Sequence, residues 1–247
     1  MTSTTQRVAI VTGGSRGIGR EIALRLAAQG YAVVVNFAGN KAAADDTVAR
    51  LRGEGGTAIA LQADVADEEA VARLFDVTEQ EFGGVDVVVH AAGTVHRAPV
   101  AELDLADLDQ ILRTNVRGTF VVAQQAVRRV RAGGALVNLA SCVTKFATPG
   151  NAAYTASKAA VESLTLILAR ELRGRDITAN AVAPGSVDTE MFEDYLAGDE
   201  ALRRRIAEQS PLERIGTPSD IAEVVLFLAG PGRWVNGQVI YANGGAI

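Results

Sequence analysis

At 247 residues the chain is long enough to bury a large core within one α/β domain. Apolar residues make up 48 % and charged residues 21 %, as in ordinary soluble globular proteins, and a net charge of −5 argues against a nucleic-acid partner. No apolar run approaches membrane-spanning length, the opening Met1–Arg7 lacks a signal-peptide pattern, and the single Cys142 excludes an intrachain disulfide and fits a reducing, cytoplasmic setting.

In chain order, Arg7–Thr12 predicts a strand ending in Gly13-Gly14-Ser15-Arg16-Gly17-Ile18-Gly19. A helix follows, with Ile18, Ile22 and Leu26 on one face, stopping near Gly30. Tyr31–Asn36 predicts a second strand, Lys41–Arg52 a helix, and Thr57–Leu61 a third strand closed by Asp64-Val65. Asp67 suits the N-cap of a helix carrying Val71, Leu74, Phe75, Thr78 and Phe82, stopped by Gly83-Gly84. Val85–Val89 is a fourth strand running into His90-Ala91-Ala92-Gly93.

The second half repeats the alternation. One long helix is expected over 106–131, then a strand over Ala135–Leu139 ending at Ser141. The next helix carries Tyr154 and turns Val161, Leu164, Leu168 and Leu172 inward; Ile177–Ala183 is a strand ending in Pro184-Gly185. Residues 186–216 look irregular and polar, suiting a mobile lid. Thr217-Pro218 opens an amphipathic helix, and Gln238–Tyr241 is the last strand. Alternating strands and helices without a linker predict a single domain over 1–247. Its architecture is a doubly wound, Rossmann-type parallel sheet of about seven strands with helices on both faces.

The glycine run follows a strand and opens a helix, the context of a phosphate-binding turn. Gly13 permits the turn, Gly17 lets a pyrophosphate approach, and Gly19 allows close packing; a purely structural turn is the plainer alternative. A strand end that holds a ribose 2′-hydroxyl commonly carries an acid, but Asn36 is neutral. Arg16, helped by Lys41, would neutralise a 2′-phosphate, so the pattern leans towards NADP(H). Asp64 and Val65 lie where an adenine ring would sit, although Asp64 also reads as a turn residue. Tyr154 and Lys158 are four apart, one helical turn, and an ammonium near a phenol favours the phenolate. Cys142 reads as a small buried hydrophobe, because no histidine pairs with it in an obvious nucleophile motif. No His/Cys/Asp cluster has metal-ligand spacing.

Taken together, Thr12-Gly13-x-x-x-Gly17-x-Gly19, Asp64-Val65, Ala91-Ala92-Gly93, Asn115, Ser141, Tyr154-x-x-x-Lys158 and Pro184-Gly185 resemble the short-chain dehydrogenase/reductase family over nearly the whole chain. The pattern is most similar to 3-oxoacyl-[acyl-carrier-protein] reductases and related NADPH-dependent ketoreductases. The resemblance implies a catalytic tetrad of Asn115, Ser141, Tyr154 and Lys158. In it, Ser141 orients the carbonyl, Tyr154 exchanges the proton, Lys158 depresses the phenol and holds the ribose, and Asn115 kinks its helix and carries a water. It also implies cofactor contacts from Gly13, Ser15, Arg16, Gly17, Ile18, Gly19, Asn36, Asp64, Val65, Ala91, Ala92, Gly93, Pro184, Gly185, Val187 and Thr189, besides Asn115, Tyr154 and Lys158. It further implies a homotetramer.

One departure stands out: the family's Asn-Asn-Ala-Gly is His90-Ala91-Ala92-Gly93 here, and His90 reads as a hydrogen-bonded core histidine. His96 has no assigned role. Arg128, Arg129 and Arg131, and Arg170, Arg173 and Arg175, end helices where they favour the macrodipole; a dock for an acidic acyl carrier is the sharper alternative. The expected function is therefore an NADP(H)-dependent carbonyl reductase acting on a small-molecule ketone or alcohol or on an acyl thioester, with no nucleic-acid or membrane partner. An NAD-dependent sugar or secondary-alcohol dehydrogenase is the alternative, and a non-catalytic nucleotide sensor the alternative of another class.

Overall fold

In the computed structural model, which describes residues 6–247, the apolar runs become seven strands. They are β1 (Val8–Thr12), β2 (Ala32–Phe37), β3 (Thr57–Gln62), β4 (Val85–His90), β5 (Val130–Leu139), β6 (Thr178–Pro184) and β7 (Val239–Ala242). Residues 1–5, part of the stretch read for a signal pattern, lie outside the described residues. All six pairings are parallel, in the order β3-β2-β1-β4-β5-β6-β7. The order reverses direction between β1 and β4, and the crevice outside their carboxyl ends is where such sheets bind ligands.

Strand side chains alternate between faces, so each central strand feeds two cores. Ala9, Val11, Val33 and Val35 face one cluster, with Ile22 and Leu26 of α1 (Gly17–Ala28), Val48 and Leu51 of α2 (Lys41–Gly53), and Ile221 and Val225 near the C-terminus. Ile10 and Val34 face the other, with Leu74 and Phe75 of α3 (Glu68–Phe82), Val121 and Val122, and Leu168. β1, β2 and β4 are buried along their whole length. This is why those runs are continuously apolar rather than alternating. The caps read from sequence form: Asp67 accepts from the Ala70 N–H, and Gly83 ends α3 in the left-handed region at φ +81°.

Two expectations need correction. The single helix over 106–131 is instead α4 (Leu105–Ile111), a π-helical segment (Leu112–Arg117) and α5 (Gly118–Arg129), and β5 begins at Val130 rather than Ala135. The cause lies at Arg131. Its guanidinium grips Asp86 of β4, whose carboxylate also accepts the Val8 N–H at 2.7 Å, so the chain must already be extended there. Residues between Val130 and Ala135 form a bulge, since Val85 pairs with Val130 and Val87 with Ala135.

The second correction concerns 186–216, which is not irregular. After α6 (Val143–Phe146) and α7 (Ala152–Glu171), it holds α8 (Glu190–Leu196) and α9 (Glu200–Glu208), before α10 (Pro218–Ala229). Thr189 and Asp199 cap α8 and α9, and both helices are short and polar enough to hide their periodicity. Three of the six arginines, Arg129, Arg131 and Arg175, are engaged within the fold. Arg129 pairs with Asp76 at 2.6 Å and Glu79 at 3.3 Å, and Arg175 donates to the Val127 and Val130 carbonyls. Among the described residues no helix is long and apolar enough to cross a membrane.

Candidate active site

The strand β1 stops at Thr12 because Gly13 turns the chain at φ +64°. A Cβ at Gly13 would sit 2.9 Å from the Ala92 backbone, and one at Gly19 would run into the Gly13 carbonyl oxygen. Only glycine lets α1 start this close to the sheet. No side chain caps α1: Arg16 stands at its N-cap without bonding a first-turn amide. Free amides and the positive helix end then face a cleft of about 500 Å³, a donor set suited to a pyrophosphate. The cleft is lined by Gly13, Ser15, Arg16, Gly17, Ile18, Gly19, Asn36, Asp64, Val65, Ala91, Ala92, Gly93 and Thr189 among the residues expected to hold a cofactor. These residues fit a dinucleotide.

Pro184, Gly185 and Val187 are not part of that lining, and neither are Asn115, Tyr154 and Lys158, which stand beside it. Gly185 packs against Asn243, and Val187 is buried, bridging to Gly216. Asn36 lines the cleft, but its amide nitrogen is engaged. Its side chain is fully buried and donates to the carbonyls of Leu61 at 3.3 Å and Ala63 at 3.0 Å, tying β2 to β3. The strand continues to Phe37, so the residues that reach the cleft beyond it are Ala38, Gly39 and Asn40, none of them acidic. Lys41 is held by Asp45 at 2.5 Å. Arg16 pairs with Glu190 of α8 at 3.4 Å, both well exposed. Asp64 accepts from the Ala66 N–H at 2.9 Å and from Arg113 at 2.6 Å. Burial would raise its pKa, but those two donors outweigh it and hold the carboxyl below its ordinary value.

Beside the cleft, α7 places Tyr154 and Lys158 on one face, with the Lys158 Nζ 5.8 Å from the centre of the phenol ring. Lys158 is buried and donates to the Leu139 carbonyl at 2.7 Å. Gly93 joins the two regions: it lines the cleft, and a Cβ there would lie 3.5 Å from Lys158 Nζ and 3.3 Å from Asn115 Oδ1. Asn115 sits in the π-helical segment, which supplies the expected kink. Its side chain is fully engaged, donating to the Thr94 carbonyl at 2.9 Å and Ser157 Oγ at 3.0 Å and accepting from the Thr94 N–H at 2.8 Å. It fixes the 94 loop rather than presenting a free amide to a water near Lys158. Ser141 follows β5 and is half-buried, its Oγ accepting from the Val143 N–H at 3.3 Å.

Burial shifts both members of this pair. Burial pulls Lys158 down to about 8. Burial also raises the Tyr154 phenol above its ordinary value, against the neighbouring Ser141 hydroxyl and the Arg97 charge, which both favour the phenolate. The lysine therefore loses its proton before the phenol does. Burial thus works against the charged form of both groups, and the ammonium favours the phenolate only while it keeps its proton. His90 is a buried core histidine with Nδ1 2.9 Å from Thr12 Oγ1, while its Nε2 has no partner. Burial first, and the Lys158 charge second, push it down to about 3, so it stays neutral. Cys142 is buried and raised to about 11, which leaves it inert as a nucleophile at neutral pH. Among the described residues no group of His, Cys, Asp and Glu could hold a metal ion.

Sequence reasoning missed Asn40, Gln110, Arg113 and Thr114 in the cleft, and the Arg97–Tyr195 contact described below. Arg113 and Thr114 immediately precede Asn115, so its assignment already pointed to them.

Comparison with known proteins shows the family. The family model described as Enoyl-(Acyl carrier protein) reductase matches residues 13–246. A short-chain type dehydrogenase/reductase of Picea abies is 44 % identical over 98 % of this chain and 92 % of its own length. The chain belongs to the short-chain dehydrogenase/reductase family. As a family member it is an oxidoreductase. A 3-oxoacyl-[acyl-carrier-protein] reductase of Staphylococcus aureus is 40 % identical, covering 96 % of each chain. A short-chain dehydrogenase of Burkholderia cenocepacia, solved in complex with NADP, superposes with a TM-score of 0.91 at 40 % identity over 98 % of both chains.

Proposed function

We propose that this short-chain dehydrogenase/reductase is an NADP(H)-dependent carbonyl reductase interconverting a ketone and a secondary alcohol, with 3-oxoacyl thioesters the first substrates to try. The observation that carries this reading is Gly93, which lines the dinucleotide cleft and packs against Lys158 Nζ, one helical turn from Tyr154. A nicotinamide bound in the cleft would supply the hydride. Ser141 would hold the carbonyl oxygen, and Tyr154 would give that oxygen its proton. Lys158, with a charged nitrogen at neutral pH, would hold ribose hydroxyls and favour the phenolate while it stays protonated. Asn115 would act as a positioning residue through Thr94 and Ser157. A non-catalytic sensor would have no use for this arrangement. The segment 186–216 would cover the substrate end. A homotetramer is consistent with exposed Phe120, Leu166, Ile167 and Trp234.

NADP(H) is favoured because Arg16 lines the cleft at the glycine turn, the other lining cation, Arg113, is held by Asp64, and no acid lies between Asn36 and Asn40. The observation favouring NAD(H) instead is Glu190, whose carboxylate lines the same cleft and holds Arg16. Fluorescence titration with both reduced cofactors separates the two. NADPH should bind more tightly than NADH, and Arg16→Gln should weaken NADPH by about tenfold or more while sparing NADH. Tighter NADH binding by the unaltered protein would overturn the assignment.

A further inference from the structure

The loop after β4 is pinned at both ends. Thr94 is bonded twice to the Asn115 side chain, and the Ala98 N–H donates to the Gly150 carbonyl at 3.0 Å, four residues before Tyr154. Arg97 stands between those anchors. Its guanidinium lies 4.4 Å from the centre of the Tyr195 ring of α8, so it bridges the 94–98 loop and the segment covering the site. Among the described residues it makes no ion pair and donates no hydrogen bond. Of the acids around this rim, Asp107 pairs with His96 at 3.5 Å, Asp104 accepts from the Ala106 N–H at 2.9 Å, and Asp188 and Glu193 pair with Arg203.

A guanidinium held by a ring contact keeps its N–H donors, which match a carboxylate edge two at a time. Arg97 is exposed on this loop, and its charge is felt at Tyr154, so an anion bound to it would lie near the phenol. We propose that Arg97 binds a carboxylate carried by the substrate, making oxo acids better substrates than neutral ketones of the same shape. This rests on the carbonyl-reductase reading for its chemistry and on NADPH occupying the cleft for its readout, but not on turnover. The Arg97 charge also reaches Tyr154, where it favours the phenolate.

The test is a titration of the NADPH-loaded Tyr154→Phe protein with 3-oxobutanoate and with its methyl ester, read by cofactor fluorescence. The acid should bind about tenfold or more tightly than the ester, the worth of a charge-assisted pair. Adding Arg97→Met should erase that preference, and Arg97→Lys should keep part of it. Arg97 is exposed, so both variants fold. Equal binding of acid and ester, no binding of either, or equal loss of both on Arg97→Met would overturn the proposal; the last would make Arg97 only a brace for Tyr195. NADPH oxidation by the unaltered protein reports separately on the reaction. An acid preference without turnover would sink the reductase reading and leave the carboxylate site standing.

Discussion

Replacing Tyr154 with Phe should lower ketone-dependent NADPH oxidation by about 10²–10⁴-fold, the usual worth of a positioned general acid, while leaving the cofactor Kd within about twofold. The hydroxyl is the one group at this position able to give the carbonyl oxygen a proton. The ring itself is half-buried and is retained by the substitution. The glycine turn, the uncapped end of α1 and Arg16 line the cleft and Tyr154 does not, so cofactor affinity should not depend on the hydroxyl. Steady-state kinetics beside a binding titration check both halves. A loss of affinity matching the loss of rate would mean that Tyr154 holds the cofactor and does not move the proton.

Lys158→Met should abolish turnover to a similar degree yet leave the cofactor-free protein as stable as the unaltered chain, or more so, at pH 7. Burial moves the Lys158 pKa from 10.5 to about 8, a folding penalty on the order of 3 kcal/mol when the group is charged. Methionine escapes that penalty and fills the same space. The substitution also leaves the Leu139 carbonyl without its donor, which costs about 1–3 kcal/mol. The sign with pH follows from the lowered value. Below 8 the lysine is charged in both states and the penalty is complete. Between 8 and 10.5 the unfolded chain binds the extra proton, so the unaltered protein gains stability relative to the Lys158→Met variant as pH rises. Thermal unfolding at pH 7 and pH 10 measures this. A variant much less stable at pH 7, with no pH trend, would show that the buried ammonium stabilises the fold, against this account.

Much of this molecule was legible because its signals are local. The Gly13–Gly19 turn, the Asp67 and Thr217 caps and the β-branched runs each declare themselves within a few residues. Tyr154 and Lys158 are one helical turn apart, so a spacing in sequence translates directly into a shared face. What sequence concealed depends on distant partners. The end of α5 is decided by Arg131 gripping Asp86, forty-five residues away. Asn36 lines the cleft as expected, but two carbonyls at the β3 end claim its amide nitrogen, which spacing alone does not show.

The phenol was the harder case. A spacing of four promises an ammonium beside Tyr154, but only packing reveals that both groups are desolvated and that the lysine gives up its charge first. Likewise α8 and α9 are short, polar and capped by single residues, too weak a periodic signal to separate from a loop. Arg97 and Tyr195 meet only because the sheet brings the β4 loop and α8 to one rim.

The central claim is that Tyr154 is a proton donor whose acidity depends on Lys158 keeping its charge. The direct measurement is the ultraviolet titration of its phenolate, taken as the difference between the unaltered protein and Tyr154→Phe, with and without NADP. In the free protein the midpoint should lie above the ordinary ~10 of a tyrosine. With the cleft filled, ribose hydroxyls that accept from Lys158 should keep it charged, and the midpoint should fall below that value. A phenol that titrates at the same pH in both states would contradict the account.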